Sequence, residues 1–239
     1  MDMFELLKDP LRSKVVLIIN GKKQQSSGMR IPPSQNKFIE IIKRFYDLCF
    51  SLITLIILSP ILLLISLMIL IPSGWPILFC QNRPGKDGKL FKIYKFRTMK
   101  KNAEEILKKD KELYRKYIEN DCKLKPEDDP RIIKMGLLLR RSSLDEIPQI
   151  FNVIKGDMSI VGPRPVLPEQ IVEYGEHTDE FLSVKPGMTG LWQVVGRSKI
   201  SYPERKYLDL LYIRNKSIPL DFKILLRTVK AIYIKEGAH

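Results

Sequence analysis

Two neighbouring carboxylates, Asp145 and Glu146, lie in the stretch Ser143-Leu144-Asp145-Glu146, closely followed by Gly156-Asp157-Met158-Ser159 and Gly162-Pro163-Arg164-Pro165. Paired acids of this kind suit two chemistries. They can ligate a hard, oxygen-preferring cation such as Mg2+, which travels with phosphates, or one of them can act as a carboxylate nucleophile. Arg164 is held between two prolines, and a rigid guanidinium fork is well matched to phosphate. Arg140 and Arg141 precede the acids, and Lys95 and Arg97 end an apolar run further upstream. These four are candidates for phosphate contact or, equally, for a solvated or headgroup-facing basic patch. Asp157, just after a glycine, is either a turn residue or a second metal or substrate contact.

The acids also have a purely structural reading. Ser143-x-x-Glu146 has the form of a capping box, and carboxylates are favoured in a first helical turn. The same field keeps such a carboxylate ionised and so available for chemistry. Further on, residues 185–193 and Gly196-Arg197 form a glycine-punctuated loop that can wall a nucleoside, with Trp192 as either a stacking surface or a core aromatic. Walker A and GxGxxG patterns are absent, so neither P-loop nor Rossmann phosphate binding is indicated. His177 and His239 are the only histidines and lie apart, which argues against a Ser-His-Asp hydrolase and against His-based metal sites. Cys49, Cys80 and Cys122 lack CxxC spacing, so neither a disulfide framework nor a zinc site is expected.

The elements that must position these residues begin with an uncharged run over residues 48–71, interrupted at its centre by Ser59-Pro60. At about 1.5 Å per residue it is long enough to cross a hydrocarbon core of roughly 30 Å. Pro60 removes a backbone donor and crowds the carbonyl of Ile56, so a break into two arms is expected there. Basic residues flank both sides, Lys43 and Arg44 before the run and Arg83 to Arg97 after it. A re-entrant hairpin keeps both flanks on one face, as the positive-inside tendency prefers. Beyond it, residues 77–81 and 90–96 read as a β-hairpin. Helices are expected over 102–120, with Asn102 as N-cap, over 132–141, and over 144–154 ending at Gly156. Near the C-terminus, Phe222, Leu225, Leu226, Val229, Ile232 and Tyr233 recur at helical spacing among Lys223, Arg227 and Lys230, a pattern suited to a membrane surface or to packing on the domain.

The chain has 239 residues and a formal charge of +14, which favours a polyanionic partner without choosing one. No nucleic-acid-binding module is recognisable, so nucleic acid is not expected as a partner. The start carries no cleaved signal pattern.

Ten motifs in one order set the chain in a known context. They are Lys43-Arg44-x-x-Asp47, Ser59-Pro60, Arg83-Pro84-Gly85, Lys95-Phe96-Arg97-Thr98-Met99, Asp129-Pro130-Arg131, Ser143-Leu144-Asp145-Glu146-x-Pro148-Gln149-x-x-Asn152-Val153, Gly156-Asp157-Met158-Ser159, Gly162-Pro163-Arg164-Pro165, Pro186-Gly187-x-Thr189-Gly190 and Gln193-Val194-x-Gly196-Arg197. Together they resemble the bacterial sugar transferases known as monotopic polyprenol-phosphate phosphoglycosyl transferases, from about Lys37 to the C-terminus. The resemblance implies an α+β, mostly helical fold. A re-entrant helix-break-helix at Ser59-Pro60 (residues 38–75) would precede a compact cytosolic catalytic domain (residues 76–239) with a β-hairpin and amphipathic interfacial helices. Residues 1–37 would be a partly disordered extension to a minimal catalytic form.

The implied reaction takes a UDP-sugar and polyprenol (undecaprenyl) phosphate to a polyprenol-diphospho-sugar and UMP, with Mg2+, at the cytoplasmic face of a bacterial inner membrane. It would be the first membrane step of exopolysaccharide, capsule, O-antigen or glycoprotein assembly. Asp145 corresponds to the family's nucleophile, and Glu146 would assist through the metal or as a base; both would be metal ligands. Substrate contacts would fall to Lys95, Arg97, Arg140, Gln149, Asp157, Arg164, Gln193 and Arg197. The competing class is a non-catalytic, membrane-tethered basic protein that binds anionic lipid or a partner protein.

Overall fold

The computed structural model describes residues 37–119, 124–196, 200 and 202–233. The proposed N-terminal extension therefore lies outside the described residues except for Lys37. Helix α1, Lys37–Ser73, runs through Pro60 without interruption. The expected break is absent from the secondary structure for a local reason. Pro60 cannot donate to the Ile56 carbonyl, and the Ser59 hydroxyl donates there instead at 2.8 Å. That bond satisfies the acceptor that Pro60 leaves open, while the ring's crowding of the Ile56 carbonyl still favours a bend within the continuous helix.

The hairpin forms as expected and runs longer on one side. Strand β1, Leu78–Pro84, pairs antiparallel with β2, Leu90–Phe96, in the register Leu78↔Phe96 to Pro84↔Leu90. The tight connection Lys86–Gly88 puts Asp87 and Gly88 at positive φ (58° and 72°). The predicted helix 102–120 is two helices, α2 at Ala103–Lys109 and α3 at Lys111–Glu119. Asp110 divides them because its carboxylate accepts the Leu113 N–H (2.9 Å) and starts the second helix. Asn102 does sit at the α2 N-cap, but its side chain makes no capping bond.

The remaining helices are α4 (Lys134–Ser142), α5 (Gln149–Lys155), α6 (Thr178–Leu182), α7 (Leu191–Val195), α8 (Tyr202–Asn215) and α9 (Ile218–Tyr233). Two short strands that the sequence pattern did not reveal, β3 (Ser159–Val161) and β4 (Gly187–Thr189), pair in parallel. The main core gathers Val153, Met158, Ile160, Val161, Leu191, Ile213 and Ile224 around this pair. A second cluster joins Ile65 and Ile69 of α1 to Phe96 and Leu139.

Glycines permit the β3–β4 approach. A Cβ on Gly187 would stand 2.1 Å from the Gly162 nitrogen, and one on Gly190 would stand 2.4 Å from the Gly162 carbonyl oxygen. Their place in the loop is thus explained by backbone packing, and the strand they pack on leads directly into Pro163-Arg164-Pro165. Gly187→Ala forces the two backbones apart. It should lower stability by about 2 kcal/mol, as overpacking does, measured by chemical unfolding in lipid nanodiscs; an unchanged midpoint contradicts this account of the packing.

Candidate active site

The dyad does not start a regular helix. Ser143 adopts a left-handed conformation (φ 58°, ψ 17°) that closes α4 and makes no side-chain cap. Leu144–Glu146 follow as a single 3-10 turn, and α5 begins only at Gln149, after Pro148. The capping-box reading is thereby corrected: Ser143 is in the wrong backbone region for an N-cap, and Glu146 has stronger partners elsewhere.

Those partners come from two distant segments. Lys95 on β2 donates to Glu146 Oε1 at 2.7 Å. Arg164 donates to Oε1 through Nη2 at 2.5 Å and to Oε2 through Nη1 at 3.1 Å. Burial alone would raise the Glu146 pKa, but Arg164 and Lys95 outweigh it and hold the carboxyl far below the usual carboxylate range. Asp145, its neighbour, makes no side-chain hydrogen bond or ion pair among the described residues. Burial, together with the Glu146 charge, pushes its pKa up to about 6, against the pull of Lys95, Arg140 and Arg164. Two adjacent acids are thus driven apart, one permanently ionised and bound, the other half-buried and unpartnered. Such separation marks distinct roles for paired titratable groups. It also refines the expectation that Asp145 is held ionised by a helix terminus.

The other predicted site residues sort by position. Arg140, on α4, feels the charge of Asp145 and is fixed by donating from Nε to Thr98 Oγ1 at 2.9 Å. Gln149 is buried at the start of α5. Arg97 is buried and donates to the Ser73 and Gly74 carbonyls at 2.9 and 2.7 Å. In this arrangement it closes the end of α1 instead of reaching the dyad. Asp157 lies at the far end of α5, beside Asn152 (3.4 Å) and Lys155 (3.8 Å), away from the acids. Gln193 donates to the Met188 carbonyl at 3.4 Å, and its Oε1 is buried without a partner. Arg197 lies outside the described residues. Trp192 is buried with the Arg205 guanidinium 4.6 Å from its ring centre.

A Mg2+ ion finds only part of its expected donor set here. Both Glu146 oxygens are already taken by three cationic nitrogens, and no cluster of three His, Cys, Asp or Glu side chains occurs among the described residues. Mg2+ is commonly held by one or two carboxylates plus substrate phosphates, and Asp145 fits that pattern as the single protein ligand.

Sequence reasoning missed Asp209. It is buried, its Oδ2 accepts from the Tyr174 hydroxyl at 2.9 Å, and its Oδ1 has no partner. Burial raises its pKa to about 8, and its charge acts on Arg164. The available signal was one carboxylate inside the apolar run Leu208-Asp209-Leu210-Leu211.

With this geometry in place, comparison with known proteins is decisive for the family. Residues 38–235 match the family described as Bacterial sugar transferase, and the chain belongs to it. It is similar to an undecaprenyl-phosphate galactose phosphotransferase of Salmonella typhimurium, at 42% identity over 83% of this chain and 42% of the relative. It is 38% identical to exopolysaccharide production protein ExoY of Sinorhizobium fredii, over 83% of this chain and 88% of that protein. A UDP-glucose:undecaprenyl-phosphate glucose-1-phosphate transferase of Klebsiella pneumoniae matches at 36% over 93% of this chain and 47% of its own. The chain thus spans under half the length of the Salmonella and Klebsiella relatives and most of ExoY.

The raised Asp145 pKa carries a test. In metal-free protein, carbon NMR of the Asp145 carboxyl should titrate with a midpoint near 6. Protonation below that point removes the anion, so any activity that needs it falls as pH drops through about 6. A midpoint near the usual value of about 3.9 contradicts the described environment.

Proposed function

We propose that this chain transfers a phospho-sugar from a UDP-sugar to polyprenol phosphate and releases UMP, through a covalent phosphosugar-aspartyl intermediate on Asp145. The observation that carries this reading is an unpartnered carboxylate beside a twin locked by Lys95 and Arg164. Asp145 Oδ attacks the phosphorus that bears the sugar, a new P–O bond forms, the diphosphate bridge breaks, and UMP leaves with the bridging electrons. A polyprenol phosphate oxygen then attacks the same phosphorus and expels the Asp145 carboxylate. Lys95, Arg140 and Arg164 supply positive charge where the phosphates gather. Glu146, bound to two of these cations, fixes their spacing. Mg2+ held by Asp145 and phosphate oxygens would offset further charge on the transferring group. The substrates in the names of the Salmonella and Klebsiella relatives support this reading.

The reading places the protein at the cytoplasmic face of a bacterial inner membrane, with α1 re-entrant. A 37-residue helix would measure about 55 Å if straight. Asp47 and Ser51 near one end and Ile65 and Ile69 near the other are buried against the same domain, while Leu52, Ile53, Ile56, Ile57, Leu63 and Leu64 between them are exposed. An exposed apolar middle between two docked stretches suits a helix that bends at Pro60 and dips into one leaflet. On α9, Leu220 and Ile224 pack into the core while Phe222, Leu226 and Val229 face outward, which suits an interfacial helix. The non-catalytic alternative explains these surfaces but not the separated pair of acids.

Two measurements test the proposal. With Mg2+ and sugar-labelled UDP-sugars, the purified protein should acquire label and release UMP before lipid is added, and Asp145→Asn should do neither. Unlabelled wild-type protein across a UDP-sugar panel favours the binding alternative. For topology, cysteines placed near Lys37 and Lys100 should react from the same side of the bilayer; labelling from opposite sides rules out the re-entrant arrangement.

A further inference from the structure

The membrane helix grips the catalytic domain at two places, and each adjoins one cation of the Glu146 clamp. Near its start, Asp47 Oδ1 accepts the Ile160 N–H at 3.1 Å. Lys43 donates to the Val161 carbonyl at 3.1 Å and pairs with Asp221. Arg44 donates to the carbonyls of Val153 (2.5 Å) and Ile154 (2.8 Å) at the end of α5. These contacts hold the segment that runs from the dyad helix into β3 and on to Arg164. The Tyr212 hydroxyl reinforces the grip: it donates to Asp221 Oδ1 at 2.8 Å and stands 3.1 Å from Val161 O. At the other end, the carbonyls of Ser73 and Gly74 receive Arg97, which lies two residues after Lys95, just past the end of β2. Neither grip touches the acids.

We infer that α1 is a positioning element of the site: Asp47, through Ile160, places Arg164, and Arg97, through the end of α1, places Lys95. The Glu146 clamp then closes only when both ends of the membrane helix are docked. An undocked helix releases β3 from α5 and leaves Arg164 free to miss Glu146. Membrane insertion and assembly of the site become one event, so the domain does not act on a soluble donor away from the lipid acceptor. The activity readout below rests on the transferase reading; the stability readout does not.

Double-mutant cycles on the full chain in nanodiscs test this. Asp47→Ala should lower UMP release by at least about tenfold, as small misplacements at a reacting centre do. Asp47→Asn, which keeps an acceptor oxygen for the Ile160 N–H, should restore most of the loss. On an Arg164→Ala background, Asp47→Ala should cost little more, because the residue it acts through is gone. Arg97→Leu should behave the same way on a Lys95→Ala background. The cycles are repeated by thermal unfolding, where the melting-temperature shifts should be equally non-additive. Additive losses in both readouts, or an Asp47→Asn loss as large as that of Asp47→Ala, overturn the inference. Should the wild type release no UMP from any UDP-sugar, the transferase reading fails, and the thermal cycles alone decide the positioning role.

Discussion

One ion cluster ties together segments that the chain keeps far apart. Glu146 draws Lys95 from β2 and Arg164 from the turn after β3 onto the 3-10 turn that carries both acids. A partly buried pair of this kind costs desolvation, which close geometry and several hydrogen bonds offset. Loss of either cation leaves an under-compensated carboxylate, with a typical cost of about 3–5 kcal/mol for a buried pair. The cluster is therefore a poor device for stability alone and a good one for specifying position. It sets where two cations stand relative to Asp145, and every other feature of the site is arranged around that spacing.

The path from Glu146 back to the rest of the fold runs through main-chain contacts more than through side-chain pairs. Arg164 is aimed by its flanking prolines and by β3, which lies against β4 because Gly162, Gly187 and Gly190 leave room for backbone contact. Arg140 is aimed by Thr98, and α4 reaches that level because Gly136 lies so close to the Thr98 carbonyl that an added Cβ would stand 2.2 Å from it. Asp129 and Arg131 form a bidentate pair at 2.8 Å on both oxygens in the same region. The recurring glycine, proline and Asp-Pro-Arg motifs are thus mostly about close approach and rigid turns, and only a few side chains face the chemistry.

Much of this was legible in the sequence, and the failures are instructive. The hairpin and the C-terminal helix are strong local patterns and form within a few residues of where the sequence puts them, whereas the dyad sits on a 3-10 turn and not in the first turn of a helix. Lys43 and Arg44 were read as membrane-flanking charges, because a sequence cannot distinguish a headgroup-facing cation from one that donates to a carbonyl more than a hundred positions away. Arg97, a substrate-contact candidate in the sequence, donates here to the Ser73 and Gly74 carbonyls. Pro60 was read as a break because its missing N–H is visible in sequence, whereas the replacement bond from Ser59 depends on a rotamer. Strands β3 and β4 were missed because three-residue strands carry no periodicity to detect. Ser143-x-x-Glu146 satisfied a capping pattern while long-range cations decided where the glutamate went, an override of local preference by tertiary charge.

The charge balance explains why the acids differ and why that difference is useful. Lys95, Arg140 and Arg164 act on Asp145 together with Glu146, so three cations face two carboxylates and leave one positive charge when Asp145 is ionised. A phosphate-bearing ligand enters a site that still attracts it. Without Glu146, the surplus would bind phosphate more tightly but would also hold Asp145 in a deep electrostatic well, lowering its basicity and its power as a nucleophile. Glu146 spends part of that field on itself. The remaining field, set against burial, leaves Asp145 near pKa 6: ionised at neutral pH, yet more basic than an ordinary aspartate. Under the proposed mechanism, a carboxylate that attacks phosphorus and later leaves it would be well served by that intermediate value, and the locked neighbour helps to set it.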